Sequence, residues 1–408
     1  MIVTRNSRRF SWNPVKRGPS LLCALLSLFF ICPQSSARTL DPDLQKALTQ
    51  RAAFSPDQIA ALERGDVVVK IIPANDQREV AVCGVMDVPS DPETALKAFQ
   101  LTLSQLKQKS SLQSGSFSNL PRVEDLGSLT LSDRDIEDLK TCTVGDCKLK
   151  LSAAMIRRFQ KSIDWTAADY YDQANRLFRS MIVEYVSEYL QRGDAALIEY
   201  ADQSTRVPLA REQASLLTNL LYVDDAAPEF VRPLKAFPRS SGPVEHSLTW
   251  ATINFGLKPV LVINDVSTYR SEVDGVPRVL VLSKQIYADH YIDASISLTA
   301  VIGDHSGTNS HLLYVNHSRA SALASMFSKF KRQIVEGKAT DNLEDLLQQT
   351  RLNIDVVLNN SPAFEPTLPE RTTEWYAMRI IPVSGLLILI GILLYGTLSR
   401  KMLNFVKD

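Results

Sequence analysis

The apolar positions of the chain change their period twice, from helical to strand-like and back, and the breaks fall at turn residues. Phe54-Ser-Pro-Asp-Gln-Ile59 reads as a helix start: Ser55 caps, Pro56 takes the first position, Gln58 reaches back and Phe54 staples onto Ile59. The short helix so opened ends near Arg64-Gly65. Val67–Ile72 and Glu79–Met86 are apolar runs separated by Pro-Ala-Asn-Asp, which predicts a hairpin. Ser90-Asp-Pro-Glu93 starts another helix, with Glu93 placed to complete a capping box. Ser132 repeats the capped start, and Met155, Ile156, Phe159, Met181, Ile182, Tyr185, Val186 and Tyr189 then recur at helical spacing across a stretch from about Ser152 to Tyr200. Pro208–Tyr222 predicts one more helix. From His246 the period shortens to two: His246–Asn254, Val260–Tyr269, Arg278–Ile302 and His311–Asn316 predict an antiparallel meander, with Asp274-Gly275 at a hairpin turn. After Ser318 the helical period returns through Leu323, Phe330, Ile334 and Val335, and a second helix is expected from Leu343 to about Leu358.

The two ends carry different signals. Arg5, Arg8, Arg9, Lys16 and Arg17 precede the apolar run Leu21–Cys32, and Ser35 and Ala37 supply the small residues of a cleavage site, so residues 1–37 read as a secretory signal peptide. Ile380–Leu398 holds no charged residue and, as a helix, spans roughly 28 Å, about one bilayer core. Arg400-Lys401 follows at once and belongs on the cytoplasmic side. The expected organisation is a signal peptide (1–37), the first part of an α+β domain (38–127), a helical insert (128–235), the strands and C-terminal helices of the same domain (236–358), a linker (359–378), a transmembrane helix (379–399) and a cytoplasmic tail (400–408). That places a single-pass protein in the cell membrane with its main domain on the periplasmic side.

Composition narrows the classes. The 408 residues hold 45 Lys plus Arg against 45 Asp plus Glu, with 45% hydrophobic residues, an ordinary globular balance. Removing the basic signal leaves a mildly acidic remainder with no Lys/Arg block, so nucleic acid is excluded as a partner. Cys142 and Cys147 flank a short Gly-containing loop and are expected to form a disulfide in an exported protein. Cys83 lies in an apolar strand and is read as a small buried hydrophobe.

Helix, hairpin, helix, helical insert, antiparallel strands and a long C-terminal helix occur in that order. Glu79-Val-Ala-Val-Cys-Gly-Val-Met-Asp-Val-Pro-Ser-Asp-Pro-Glu-Thr-Ala-Leu96, a strand followed by a helix opening, and the strand-to-helix passage from Tyr314 to Val335 resemble the START-like (polyketide cyclase and lipid-transfer) superfamily. The resemblance covers about residues 65–95 and 245–350; residues 128–235 depart from it, being longer and more helical. It implies a helix-grip fold, an antiparallel sheet gripping the C-terminal helix around an apolar cavity, and a lipid or other apolar small molecule as ligand.

Lys284-Gln-Ile-Tyr-Ala-Asp-His-Tyr-Ile-Asp293 concentrates polar groups in an apolar neighbourhood. Read as an unbroken strand, it puts Gln285, Tyr287, Asp289, Tyr291 and Asp293 on a solvated face, and Lys284 and His290 on an apolar one. Burial in a cavity would shift both of the latter into useful acid–base range. Trp250, Lys284, Tyr287, His290 and Tyr291 are therefore the expected ligand-binding residues, and His290 with Asp289 or Asp293 the catalytic candidates. His305, His311 and His317 offer imidazoles without a fixed fourth ligand, so no metal is expected, and no cofactor motif is present. The first reading is a membrane-tethered binding protein. An envelope hydrolase or cyclase using His290 is the second, and an envelope scaffold meeting a protein partner the third.

Overall fold

The computed structural model describes residues 40–127, 129–220, 244–253, 258–324 and 328–360. The expected signal peptide and membrane span lie outside them, and no helix among the described residues is long and apolar enough to cross a membrane.

Local signals act largely as written. Helix α1 (Pro42–Lys46), which runs into a π-helical turn at Ala47–Arg51, precedes α2 (Pro56–Glu63), whose Ser55 and Gln58 form the complete capping box. The hairpin forms as β1 (Val68–Ile72) and β2 (Glu79–Val88), followed by α3 (Pro92–Ser110). Here Asp91, not Ser90, is the cap: its Oδ1 accepts from the N–H groups of Glu93 and Thr94 at 3.0 and 3.1 Å. The next strand, β3 (Ser111–Ser116), has a serine-rich sequence that gave no strand signal. In the insert come α4 (Asp133–Lys140), α5 (Ala153–Ser162), α6 (Tyr170–Arg192), the short pair β4 (Glu199–Tyr200) and β5 (Val207–Pro208), and α7 (Leu209–Asn219). The single helical stretch expected at 152–200 is two helices because Asp164 bonds the N–H and hydroxyl of Thr166, drawing the chain into a turn.

The meander is β6 (Val244–Ile253), β7 (Val260–Val273), β8 (Val276–Ala288), β9 (Ala294–Gly303) and β10 (Ser310–Arg319). Arg278–Ile302 thus holds most of one strand and most of the next, parted by a bend in which Tyr291 has φ 56°. The two helices expected after Ser318 are one, α8 (Ser328–Asn360). The protein is α+β: eight strands make one antiparallel sheet in the order β1-β2-β10-β9-β8-β7-β6-β3. The last strand of the meander therefore returns to β2, with Val82 opposite Asn316 and Gly84 opposite Tyr314.

Both sheet faces are covered, which is why β2 reads as a nearly continuous apolar run. Ala81, Cys83, Val85, Leu280, Leu282, Leu298 and Leu313 pack with α1, α2 and the insert helices. On the opposite face Val80, Val82, Met86, Val279, Val301 and Leu312 pack with α3 and α8. Helix α8 rests on β1 and β2, and α3 on β8, β9 and β10. Gly84 permits the close approach of α8: a Cβ there would lie 2.7 Å from Leu347 Cδ1 and 2.9 Å from Leu343 Cδ2.

Candidate functional site

The polar segment singled out in the sequence does not continue as a regular strand. Ile263 pairs with Tyr287 and Asn264 with Gln285, so Ile286 is an extra residue in β8. The bulge turns Ile286 and Tyr287 toward the same, insert-facing core. Two insert tyrosines serve backbone groups there: Tyr185 donates to Ile286 O at 2.5 Å, and Tyr200 accepts from Ala288 N–H at 2.8 Å. The solvated face expected for Tyr287, Asp289 and Asp293 is thus buried, because the helical insert lies over it.

His290 stands just past the end of β8, 3% exposed, between two carboxylates. Its Nε2 is 3.2 Å from Asp135 Oδ1 and its Nδ1 2.9 Å from Asp289 Oδ1. Neither approach has good hydrogen-bond alignment, so the attraction is chiefly ionic. Asp135, in the first turn of α4, also pairs with Lys258 Nζ at 2.5 Å and accepts from Ser132 Oγ at 2.7 Å. Burial alone would depress the imidazole, but the charges of Asp289 and Asp135 outweigh it and raise His290 to about 9. Burial pushes Asp135 up, yet the charge of His290 and the hydrogen bonds from Lys258 and Ser132 prevail and bring it to about 2. Asp289, with burial as its largest influence, is raised above the ordinary carboxylate value.

A cavity of about 160 Å³ opens beside this cluster, its wall shared by Ser132, Asp135 and Asp289 with Phe178, Pro259 and Leu261. His290 sits behind the carboxylates. As an imidazolium at neutral pH it has no lone pair with which to take a proton, so it cannot serve as a general base there.

The other candidates are held elsewhere. Asp293 accepts from Lys150 Nζ at 2.8 Å and from Ser321 Oγ at 2.6 Å, with Asp202 3.9 Å from the same ammonium. Lys284 pairs with Asp194 at the end of α6 and lies over the Tyr189 ring. Tyr287 is fully buried between Tyr185 and Tyr200 and donates to Lys150 O at 3.2 Å. Trp250 donates to Asp125 O at 2.9 Å and packs over Gly115. Tyr291 stacks obliquely on His290, ring centroids 5.5 Å apart. Trp250, Lys284 and Tyr287 all face the insert side of the sheet, not the side on which α8 lies.

His317 and Arg319, at the end of β10, converge on Glu79 of β2 (2.8 and 2.7 Å), and Arg319 continues to Glu212 of α7 at 2.8 Å. His311 pairs with Asp87 at 2.5 Å. Each expected imidazole on β10 thus has a carboxylate partner, and no group of three metal-ligating side chains converges among the described residues. Cys142 and Cys147 are bonded, and Cys83 is free and buried. The pairing of Asp135 with His290 and the roles of Lys258 and Lys150 are not legible in the sequence, because these residues lie far along the chain from those they meet; Asp135 is read there only as part of the helix start at Ser132. Comparison of the chain with protein-family models, with curated proteins and with solved structures finds no match.

Proposed function

We propose that the chain is an exported, membrane-tethered binding protein of the helix-grip type, holding a lipid or similar ligand between its sheet and the C-terminal helix. The observation that carries this reading is the order of the sheet: β10 returns to β2, and the long helix α8, later in the chain, rests on β1 and β2 across one face. The strands β6 to β9 continue that face past the footing of α8, with α3 over β8 and β9, and we take the remainder as the wall for the ligand. The enzyme reading is weakened by the state of its best candidate, since a histidine locked as an imidazolium between Asp135 and Asp289 suits structure better than proton transfer.

The test is native mass spectrometry of the full-length chain purified from a cell envelope, with extraction and identification of bound small molecules. A lipid retained near one per chain supports the reading. A chain that is folded and empty under conditions that preserve other protein–lipid complexes sinks it.

A further inference from the structure

The face of the sheet shared by α3 and α8 is not uniformly apolar. β9 alternates strictly, with Ile296, Leu298 and Ala300 in the insert-facing core and Ser295, Ser297 and Thr299 on the other side. The register extends this polarity across the strands: Ser297 lies opposite Ser283 and Asn316, while Asn264 lies opposite Thr249 and Gln285. The result is a buried band of hydroxyls and amides without a charged member among the described residues. Arg270 and Glu245, charged residues on this face, pair with each other at 3.2 Å, and Arg270 with Glu93 at 2.6 Å.

Gln285 is the informative residue. It is 0% exposed, and neither its Nε2 nor its Oε1 has a hydrogen-bond partner; Thr249 Oγ1 and Ser247 Oγ lack one as well. Its backbone is fixed from the opposite side, where Gln213 Nε2 donates to the carbonyls of Gln285 and Ser295 at 2.6 and 3.1 Å. A buried amide left unpaired costs about 1–3 kcal/mol. Packing alone would be served by an aliphatic residue, as at Val279 and Val301 on this same face. Apolar surface borders the band on both sides, under α3 and in a separate cluster that includes Ala251, Val260, Val262 and Ala288.

We infer that this wall accepts a neutral amphiphile, whose uncharged hydroxyl or ester groups pair with Gln285, Thr249 and Ser247 while its hydrocarbon lies on the Val260–Val262–Ala288 patch. The inference rests on the ligand-binding reading above and narrows it. A carboxylate or phosphate headgroup would enter a wall that offers no cation among the described residues, and its desolvation would be uncompensated there.

The experiment uses the full-length chain in amphipol and three tritiated probes with the same acyl chain: dioleoylglycerol, oleate and dioleoylphosphatidylglycerol. Dioleoylglycerol is expected to saturate near one per chain, with both anions at least tenfold weaker. Gln285→Leu should weaken dioleoylglycerol about tenfold, the worth of roughly one hydrogen-bonded contact, and leave oleate unchanged. If that variant does not fold, Thr249→Val is read in the same assay. Equal binding of all three probes overturns the neutral-headgroup inference and leaves the binding reading standing. Binding unchanged in a Gln285→Leu protein that melts higher also overturns it, since the amide then pairs with ordered water only. Absence of binding by every probe overturns both.

Discussion

Replacing His290 by Gln keeps the volume of the imidazole approximately and removes its positive charge, so the variant isolates the ionic part of the cluster. An unfolded histidine titrates near 6.5, whereas His290 in the fold is raised to about 9. A basic group whose folded value is raised contributes stability that is fully present below the unfolded value and is lost as pH climbs through the folded one. At about 1.4 kcal/mol per pH unit the interval corresponds to about 3 kcal/mol. Because His290 is almost wholly buried, solvent screening takes little from that figure. The wild type is therefore expected to exceed His290→Gln by about 3 kcal/mol at pH 6, and the gap should close progressively between pH 6.5 and about 9. Urea unfolding of both proteins at half-unit pH steps measures the gap, and NMR of the five histidines in the wild type locates the titration directly. A gap that stays constant across the window, or a wild type that gains on the variant as pH rises, would refute the charged state assigned to His290.

Three further outcomes follow from the packing. Lys150→Met should lower stability by about 3–5 kcal/mol by stranding the buried Asp293 carboxylate, and adding Asp293→Asn should restore part of the loss; unfolding of the single and double variants measures the coupling. Gly84→Ala places a Cβ against Leu343 and Leu347 and should cost about 1–3 kcal/mol, read as an increased unfolding rate or a lower melting temperature. Cys142→Ala with Cys147→Ala opens a short loop and should cost about 2 kcal/mol, while mass spectrometry after alkylation of the native chain should find Cys83 unlabelled until the protein is denatured.

What the sequence disclosed was what neighbours in the chain decide. The capping box of Ser55 and Gln58, the β1–β2 hairpin, the start of α4 at Ser132 and the Cys142–Cys147 bond each depend on residues within a few positions of one another. The Ser90 cap failed narrowly, because the adjacent Asp91 carboxylate is a stronger acceptor in the same place. The site reading failed for a larger reason: the extra residue at Ile286 breaks a period-two argument, and nothing local announces a bulge. Nor could alternation tell that the outer face of β8 would be buried, since its cover comes from α4 to α7, more than fifty residues earlier in the chain. The serine alternation of β9, by contrast, stands in plain sight as Ser295, Ser297 and Thr299, and only the cross-strand register gives it meaning.

The pairing of β2 with β10 also sets a schedule for biosynthesis. Glu79 and His317, side-chain partners in the finished sheet, are 238 residues apart. At translation rates of about 5–20 residues per second, β2 emerges roughly ten to fifty seconds before its central neighbour exists. Throughout that interval an apolar strand with an open hydrogen-bonding edge waits beside β1, a template for pairing with other nascent chains. Products truncated before Ser310 keep that edge permanently, so quality control has to hold or destroy them, and slowing synthesis between β6 and β10 should raise aggregation in proportion to the delay.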